Sequence, residues 1–158
     1  MLRADGARLV ALTEADIPEV MRIERIAAYR AFIGSFTLEH HQAELASLDS
    51  RYLGLRNVDG LAGFAILQDF RQPTIRLRRI AVSVEGRGVG TALLRAVLDW
   101  VFETTPAAAV RLHVRAENFR ARRIYLKEGF ADTADGAPAE GGHRMATARE
   151  RWRELGGG

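Results

Sequence analysis

Apolar residues recur at helical spacing most clearly in the middle of the chain, where Ala92-Leu93-Leu94, Val97-Leu98 and Val101-Phe102 line one face until Pro106 ends the pattern. That spacing predicts a long helix. Nearer the start, Ile17, Val20, Ile23 and Ile26 repeat in the same way behind the capping side chains of Thr13-Glu14-Ala15-Asp16. A first helix is therefore expected from Asp16 to Tyr29. Thr37 can cap a second helix running through Leu48, with Glu39-His40 in its opening turn. Phe32 to Phe36 is expected to be the loop between them.

Elsewhere the period changes. Arg51 to Asn57 and Leu61 to Asp69 are dense in apolar residues on either side of the turn signal Asp59-Gly60, which predicts a β-hairpin. Pro73 then interrupts, and Thr74 to Val82 alternates before becoming wholly apolar, as a central strand does. Val110 to Val114 reads as a short strand, Phe119 to Glu128 as a helix stopped by Gly129 in the left-handed region, and Arg144 to Arg149 as a last strand. With a strand near Leu9, the order is β(α)αβββαβαβ. This is an α/β (α+β) layer structure on a mixed sheet, in one domain ordered from about Leu9 to Trp152, with Gly156 to Gly158 a frayed tail.

Composition narrows the chemistry. At 158 residues and 47% apolar, one domain can bury a continuous core without metals or disulfides. The absence of cysteine excludes disulfide frameworks, thiolate zinc sites and cysteine nucleophiles, and accords with a cytoplasmic protein. No apolar run approaches the roughly 20 residues that span a bilayer, and Met1 to Gly6 lacks a signal-peptide core. The net charge is +3, with 23 basic residues among 20 acidic ones, and all the basic residues but Lys127 are arginine. Arginine suits planar contacts to phosphate, so an anionic ligand fits. Nucleic-acid binding fits less well, because zinc-finger spacing, an aromatic RNP-type strand and a long basic run are all missing. His40-His41 does not read as a metal pair, since adjacent helical positions do not face one ligand sphere.

The sharpest local signal is the strand Leu77 to Val82 followed by Glu85-Gly86-Arg87-Gly88-Val89-Gly90-Thr91 and then the long helix. Strand, glycine turn and helix make a phosphate cradle, because unpaired N–H groups and a partial positive charge collect at a helix N-terminus and glycines let the backbone come close. Arg87 can add a charged contact. The Rossmann pattern fails, since Gly88-Val89-Gly90 is followed by Thr91-Ala92-Leu93, and the nucleotide P-loop fails for want of Gly-Lys-Ser or Gly-Lys-Thr. Alone, such a turn can be nothing more than a turn.

About thirty residues on comes Asn118-Phe119-Arg120-Ala121-Arg122-Arg123-Ile124-Tyr125-Leu126-Lys127-Glu128-Gly129-Phe130, an Asn-x-x-Ala-x-x-x-Tyr-x-x-x-Gly-Phe helix. With the glycine turn before it, and Gly63-Phe64-Ala65-Ile66 earlier still, the stretch from Thr74 to Phe130 resembles the GNAT superfamily of N-acetyltransferases. The resemblance implies a splayed, mostly antiparallel mixed sheet flanked by about four helices, and acetyl-CoA as cosubstrate with no metal. It implies that Ile80, Ala81 and Val82 hold the pantetheine arm and that Arg87, Gly88, Val89, Gly90 and Thr91 take the pyrophosphate on backbone amides. It implies further that Asn118 contacts the arm, that Tyr125 protonates the departing thiolate, that Arg122 approaches the 3′-phosphate, and that two copies pair through their C-terminal strands. Many members carry Arg or Gln where this chain has Glu85, a carboxylate that must point away from a pyrophosphate.

The residues also carry plainer readings. Tyr125 can be a core aromatic, Asn118 a helix cap, and Arg120, Arg122 and Arg123 a solvated face. The expected reaction is direct attack by a neutral primary amine in a ternary complex, which needs no enzyme nucleophile. A base is needed, and Glu24, Asp69, His113 and Glu117 are its candidates. Phe32 to His41, the hairpin and the Ala131 to Met145 loop would set the acceptor, in a manner similar to members that acetylate protein N-termini or polyamine-like amines. The competing class is a non-catalytic module that binds acyl-CoA.

Overall fold

The computed structural model describes the backbone of residues 6–31, 34–133 and 141–157, and the side chains of all these except 29–31. Seven strands, β1 (Arg8–Ala11), β2 (Arg51–Asn57), β3 (Gly60–Gln68), β4 (Thr74–Val82), β5 (Ala109–Arg115), β6 (Ala131–Asp132) and β7 (Gly142–Ala148), form one sheet in the order β1-β2-β3-β4-β5-β7-β6. Every neighbouring pair is antiparallel except β4 and β5. The helices among the described residues are α1 (Ile17–Ala31), α2 (Leu38–Ala46), α3 (Val89–Thr104), α4 (Phe119–Lys127) and α5 (Arg149–Glu154). None is long and apolar enough to cross a membrane.

The two faces of the sheet are closed by different helices. On one, Leu93, Leu94, Val97 and Val101 of α3 are essentially fully buried against Leu67, Ile75, Val110 and Met145 of the strands, each such side chain contributing about 1.5–3 kcal/mol relative to exposure. On the other, Val20, Ile23 and Ala27 of α1 pack on Phe64, Ile66 and Tyr52. The helical periodicities of the sequence are these two contact faces. The crossover that α3 makes between parallel strands is what sets the glycine turn at the end of β4.

The C-terminal region departs from the sequence reading in two ways. The last strand runs from Gly142 to Ala148, and Arg149 opens a fifth helix where a strand residue was expected. The reason is local: Arg149 donates from Nε to Ala107 O at 3.0 Å, from Nη1 to Phe102 O at 2.6 Å and from Nη2 to Thr105 O at 2.7 Å. A single guanidinium thus satisfies carbonyls that the end of α3 leaves unpaired. Gly156 and Gly157, the described glycines of the tail, are also not loose. Gly156, at φ +97°, donates to Arg153 O and Gly157 donates to Trp152 O at 2.9 Å, the pair of bonds that closes a helix with a left-handed glycine. A Cβ on Gly157 would lie 2.2 Å from the Trp152 indole, so the tail folds under that ring. β6, only two residues long, carries no periodic signal and was not expected.

Arg149→Met is expected to lower stability by about 2–4 kcal/mol, because three carbonyls lose a charged donor at once. Arg151→Met, on the same helix but exposed and paired only with Glu154, should change it by less than about 0.5 kcal/mol. Urea unfolding of the two variants beside the parent makes the comparison.

Candidate active site

β4 and β5 pair only through Thr74–Arg76 and Ala109–Arg111, although both strands run on for several residues. From Leu77 to Ala81 one edge of β4 therefore has no strand beside it among the described residues, in the middle of a sheet. The pairing of β4 with β3 is irregular at the same place: Ile66 faces Arg79 and Leu67 faces Leu77, which leaves Arg78 opposite nothing. Such a bulge twists the strand and redirects its N–H and C=O groups.

Between the parted strands lies a cleft of about 1230 Å³, above the roughly 300–1,000 Å³ of a pocket for one small ligand. The strand residues Ile80, Ala81 and Val82, the turn residues Gly88, Gly90 and Thr91, and Asn118 and Tyr125 of the α4 region all line it. The glycine turn owes its shape to two left-handed residues, Gly86 at φ +79° and Gly88 at φ +75°, a region closed to most side-chain-bearing residues. Gly88 caps α3, and the first bond into the helix runs from Ala92 N to Gly88 O at 3.0 Å. The N–H groups of Val89, Gly90 and Thr91 have no partner among the described residues.

Not every expected residue reaches the cleft. Arg87 and Val89 do not line the cleft; with Ala7, Leu55 and Ala62 they border a small hollow. Arg122 does not line it either: its two terminal nitrogens hold Asp132 of β6 at 2.8 and 3.0 Å. Arg120 stands in the cleft instead, with Nη1 3.7 Å from Glu85 Oε2. Glu85 was expected to point away; it lines the cleft, and Arg120 screens its charge.

Asn118 is a helix cap, its Oδ1 accepting from Ala121 N at 3.2 Å, as well as a cleft residue. Tyr125 packs its ring edge-on to Phe130 at 5.5 Å, and burial pushes its hydroxyl up to about 12. Burial thus favours the neutral, protonated form of this phenol.

Of the four candidate bases, two are ruled out by position. Glu24 is 1% exposed and fully engaged: Oε1 accepts from His41 Nε2 at 2.9 Å and from Phe36 N at 3.1 Å, and Oε2 accepts from Arg79. His41 Nδ1 meets the Tyr52 hydroxyl at 2.7 Å, so His41 is a structural side chain. Asp69 is ion-paired with Arg111 and lies off the cleft lining. His113 and Glu117 both line the cleft. Sequence reasoning missed the Glu24–Arg79–His41 cluster, yet its signal was present: Glu24 falls in the apolar stripe of Val20, Ile23 and Ala27, and Arg79 in an apolar strand.

Residues 17–130 match the model of the acetyltransferase (GNAT) family. The chain belongs to that family. This acetyltransferase is 31% identical over 127 residues to the N-alpha-acetyltransferase RimI of Mycobacterium tuberculosis, a match covering 76% of this chain and 75% of that one. Among solved structures, the ribosomal-protein-S18-alanine N-acetyltransferase from Escherichia coli superposes with a TM-score of 0.74 at 24% identity, over 90% of this chain and 93% of that chain. The spermidine N-acetyltransferase from Vibrio cholerae, in complex with CoA and spermine, gives 0.76 at 19% identity, over 93% and 98%. At those identities the two structures speak to the fold, which the acetyltransferase shares.

The buried cluster sets a stability test. Burial alone would raise the Glu24 carboxyl, but the hydrogen bonds and charges of His41 and Arg79 outweigh it and hold the carboxyl below its ordinary value of 4.5. Its contribution is therefore complete above about pH 4.5 and is lost as pH falls through the lower, folded-state value. Glu24→Gln should lose about 3–5 kcal/mol at pH 7 by stranding Arg79, and the gap to the parent should narrow below about pH 4.5. Urea unfolding from pH 7 down to pH 3 measures it.

Proposed function

We propose that this acetyltransferase takes its acetyl group from acetyl-CoA and passes it to the α-amine of a protein N-terminus in a ternary complex. The observation that carries the donor half is the meeting, in one cleft, of three unpartnered amides at the start of α3 and the unpaired edge of β4. The amides and the helix dipole suit a pyrophosphate. The strand edge suits an arm that carries peptide-like amides, which can add to it as a further strand does. Arg120, within the cleft, takes the phosphate role first assigned to Arg122. The acceptor half rests on the likeness to the N-alpha-acetyltransferase, the relative with the greater identity.

Acetyl-CoA supplies an activated thioester, whose carbonyl carbon accepts the amine's lone pair and whose sulfur departs. Each residue then has one task. Backbone N–H groups around the Arg78 bulge polarise the carbonyl oxygen. Tyr125 gives its hydroxyl proton to the departing sulfur and regains one from solvent. His113 receives the proton that the amine nitrogen must shed, directly or through water. By continuation of the Arg76–Arg111 register, His113 stands level with Arg78 at the deep end of the cleft, whereas Glu117 lies four residues nearer the phosphate end. That difference favours His113 as base.

Tyr125→Phe should lower kcat by about 10²–10⁴ while KM for acetyl-CoA changes by less than about threefold. His113→Gln should lower kcat/KM for the amine by about tenfold or more while KM for acetyl-CoA is kept. A Tyr125→Phe enzyme with unchanged kcat would remove that residue from the chemistry.

A further inference from the structure

Charge is unevenly distributed along the cleft. Seven arginines line it against two carboxylates, Glu85 and Glu117. Both carboxylates stand at the end that holds the glycine turn and Asn118, where Arg115 and Arg120 also lie. The deep end, where β4 and β5 meet, is lined by Arg76 and Arg78 of β4, Arg111 of β5 and Arg144 of β7. Asp69 answers Arg111 there, and Glu24 answers the buried Arg79. No described carboxylate comes within 4.0 Å of Arg76 or Arg78. Arg78 stands 5.0 Å from the centre of the Phe36 ring, with Arg79 at 4.1 Å on the same ring. Burial, together with the neighbouring charges of Arg79 and Arg76, lowers the Arg78 guanidinium from its ordinary value, and the more distant carboxylates of Glu44 and Glu24 oppose this without outweighing it. Among the described residues, Arg76 and Arg78 thus stand without an ion-paired carboxylate.

The cosubstrate's phosphates cannot pair with them. At about 3.3 Å per residue, Arg78 lies roughly 13 Å and Arg76 roughly 20 Å along β4 from Val82, where the glycine turn begins. The second substrate is the other molecule that this cleft would admit, and an anionic one would neutralise Arg76 and Arg78. A polycationic amine would meet like charges instead, which disfavours it on both affinity and approach.

We infer that the acceptor is an anionic amine: a chain N-terminus whose next residues are acidic, their carboxylates taken by Arg76 and Arg78 while the amine faces the thioester. This rests on the transfer reading above and adds the acceptor's charge to it.

The test measures release of CoA at saturating acetyl-CoA with five acceptors: peptides beginning Ala-Asp-Glu, Ala-Asn-Gln and Ala-Lys-Arg on one common sequence, free glutamate, and spermidine. The acidic peptide should exceed the neutral one at least tenfold in kcat/KM and the basic one at least a hundredfold. The preference should shrink severalfold between 50 and 500 mM salt, and Arg78→Gln should cut the acidic-to-neutral ratio at least fivefold. Free glutamate outrunning the acidic peptide would keep the anionic class but replace the chain terminus by a small amino acid. Equal rates across the peptides, or a preference for the basic peptide or spermidine, would overturn the inference and leave acetyl transfer standing. Should no amine turn over, the transfer reading fails. The charge claim is then decided by anisotropy of C-terminally labelled peptides with CoA present, where tighter binding of the acidic one supports it and equal binding ends it.

Discussion

The parting of β4 from β5 after Arg76 is the constraint on which the rest of the molecule depends. A sheet gains by pairing every edge, so an unpaired edge in its interior persists only if something holds the strands apart. Here two things do. The bulge at Arg78 turns β4 away from its neighbour, and the buried Glu24–Arg79–His41 cluster ties the turned strand to α1 and α2. On β5 the far edge is fully paired with β7 over seven residues, so that strand cannot follow. The outcome is a cleft whose walls are backbone on one side and α4 on the other, ready for an extended ligand.

The same parting divides the site electrically. One end offers helix amides and glycines that are open to phosphate oxygens. The other end gathers guanidinium groups under Phe36. Tyr125 also lines the cleft, packed edge-on to Phe130.

Much of this was legible in the sequence, and the reasons for the remainder are physical. The helix beginning at Val89 and the hairpin were visible because periodicity reports burial directly. The glycine turn and the Asn118 to Phe130 motif were visible because backbone geometry and capping need particular residues at particular spacings. The place of Arg122 off the cleft was not legible, because spacing gives a residue's element, not the side on which its side chain emerges. Arg122 lies on α4 beside β6, a two-residue strand without a sequence signature, and its partner Asp132 comes from that strand. Glu24 looked like a base because a carboxylate stood near the cleft in sequence terms. Its place in an apolar stripe was the sign that it would be buried and paired. The C-terminal helix escaped notice because Ala148 gives no capping side chain and the helix is held by long-range bonds from Arg149.

Calorimetric titration of acetyl-CoA into the parent, Gly88→Glu and Gly88→Asn tests the central claim most directly. Asparagine tolerates the left-handed backbone that Gly88 adopts, whereas glutamate sets a carboxylate where the phosphates are to lie. The account predicts saturable binding by the parent, affinity within about tenfold for Gly88→Asn, and a loss of at least a hundredfold for Gly88→Glu with its fold intact by circular dichroism. Absence of binding at millimolar acetyl-CoA, or binding that Gly88→Glu leaves unchanged, would contradict it.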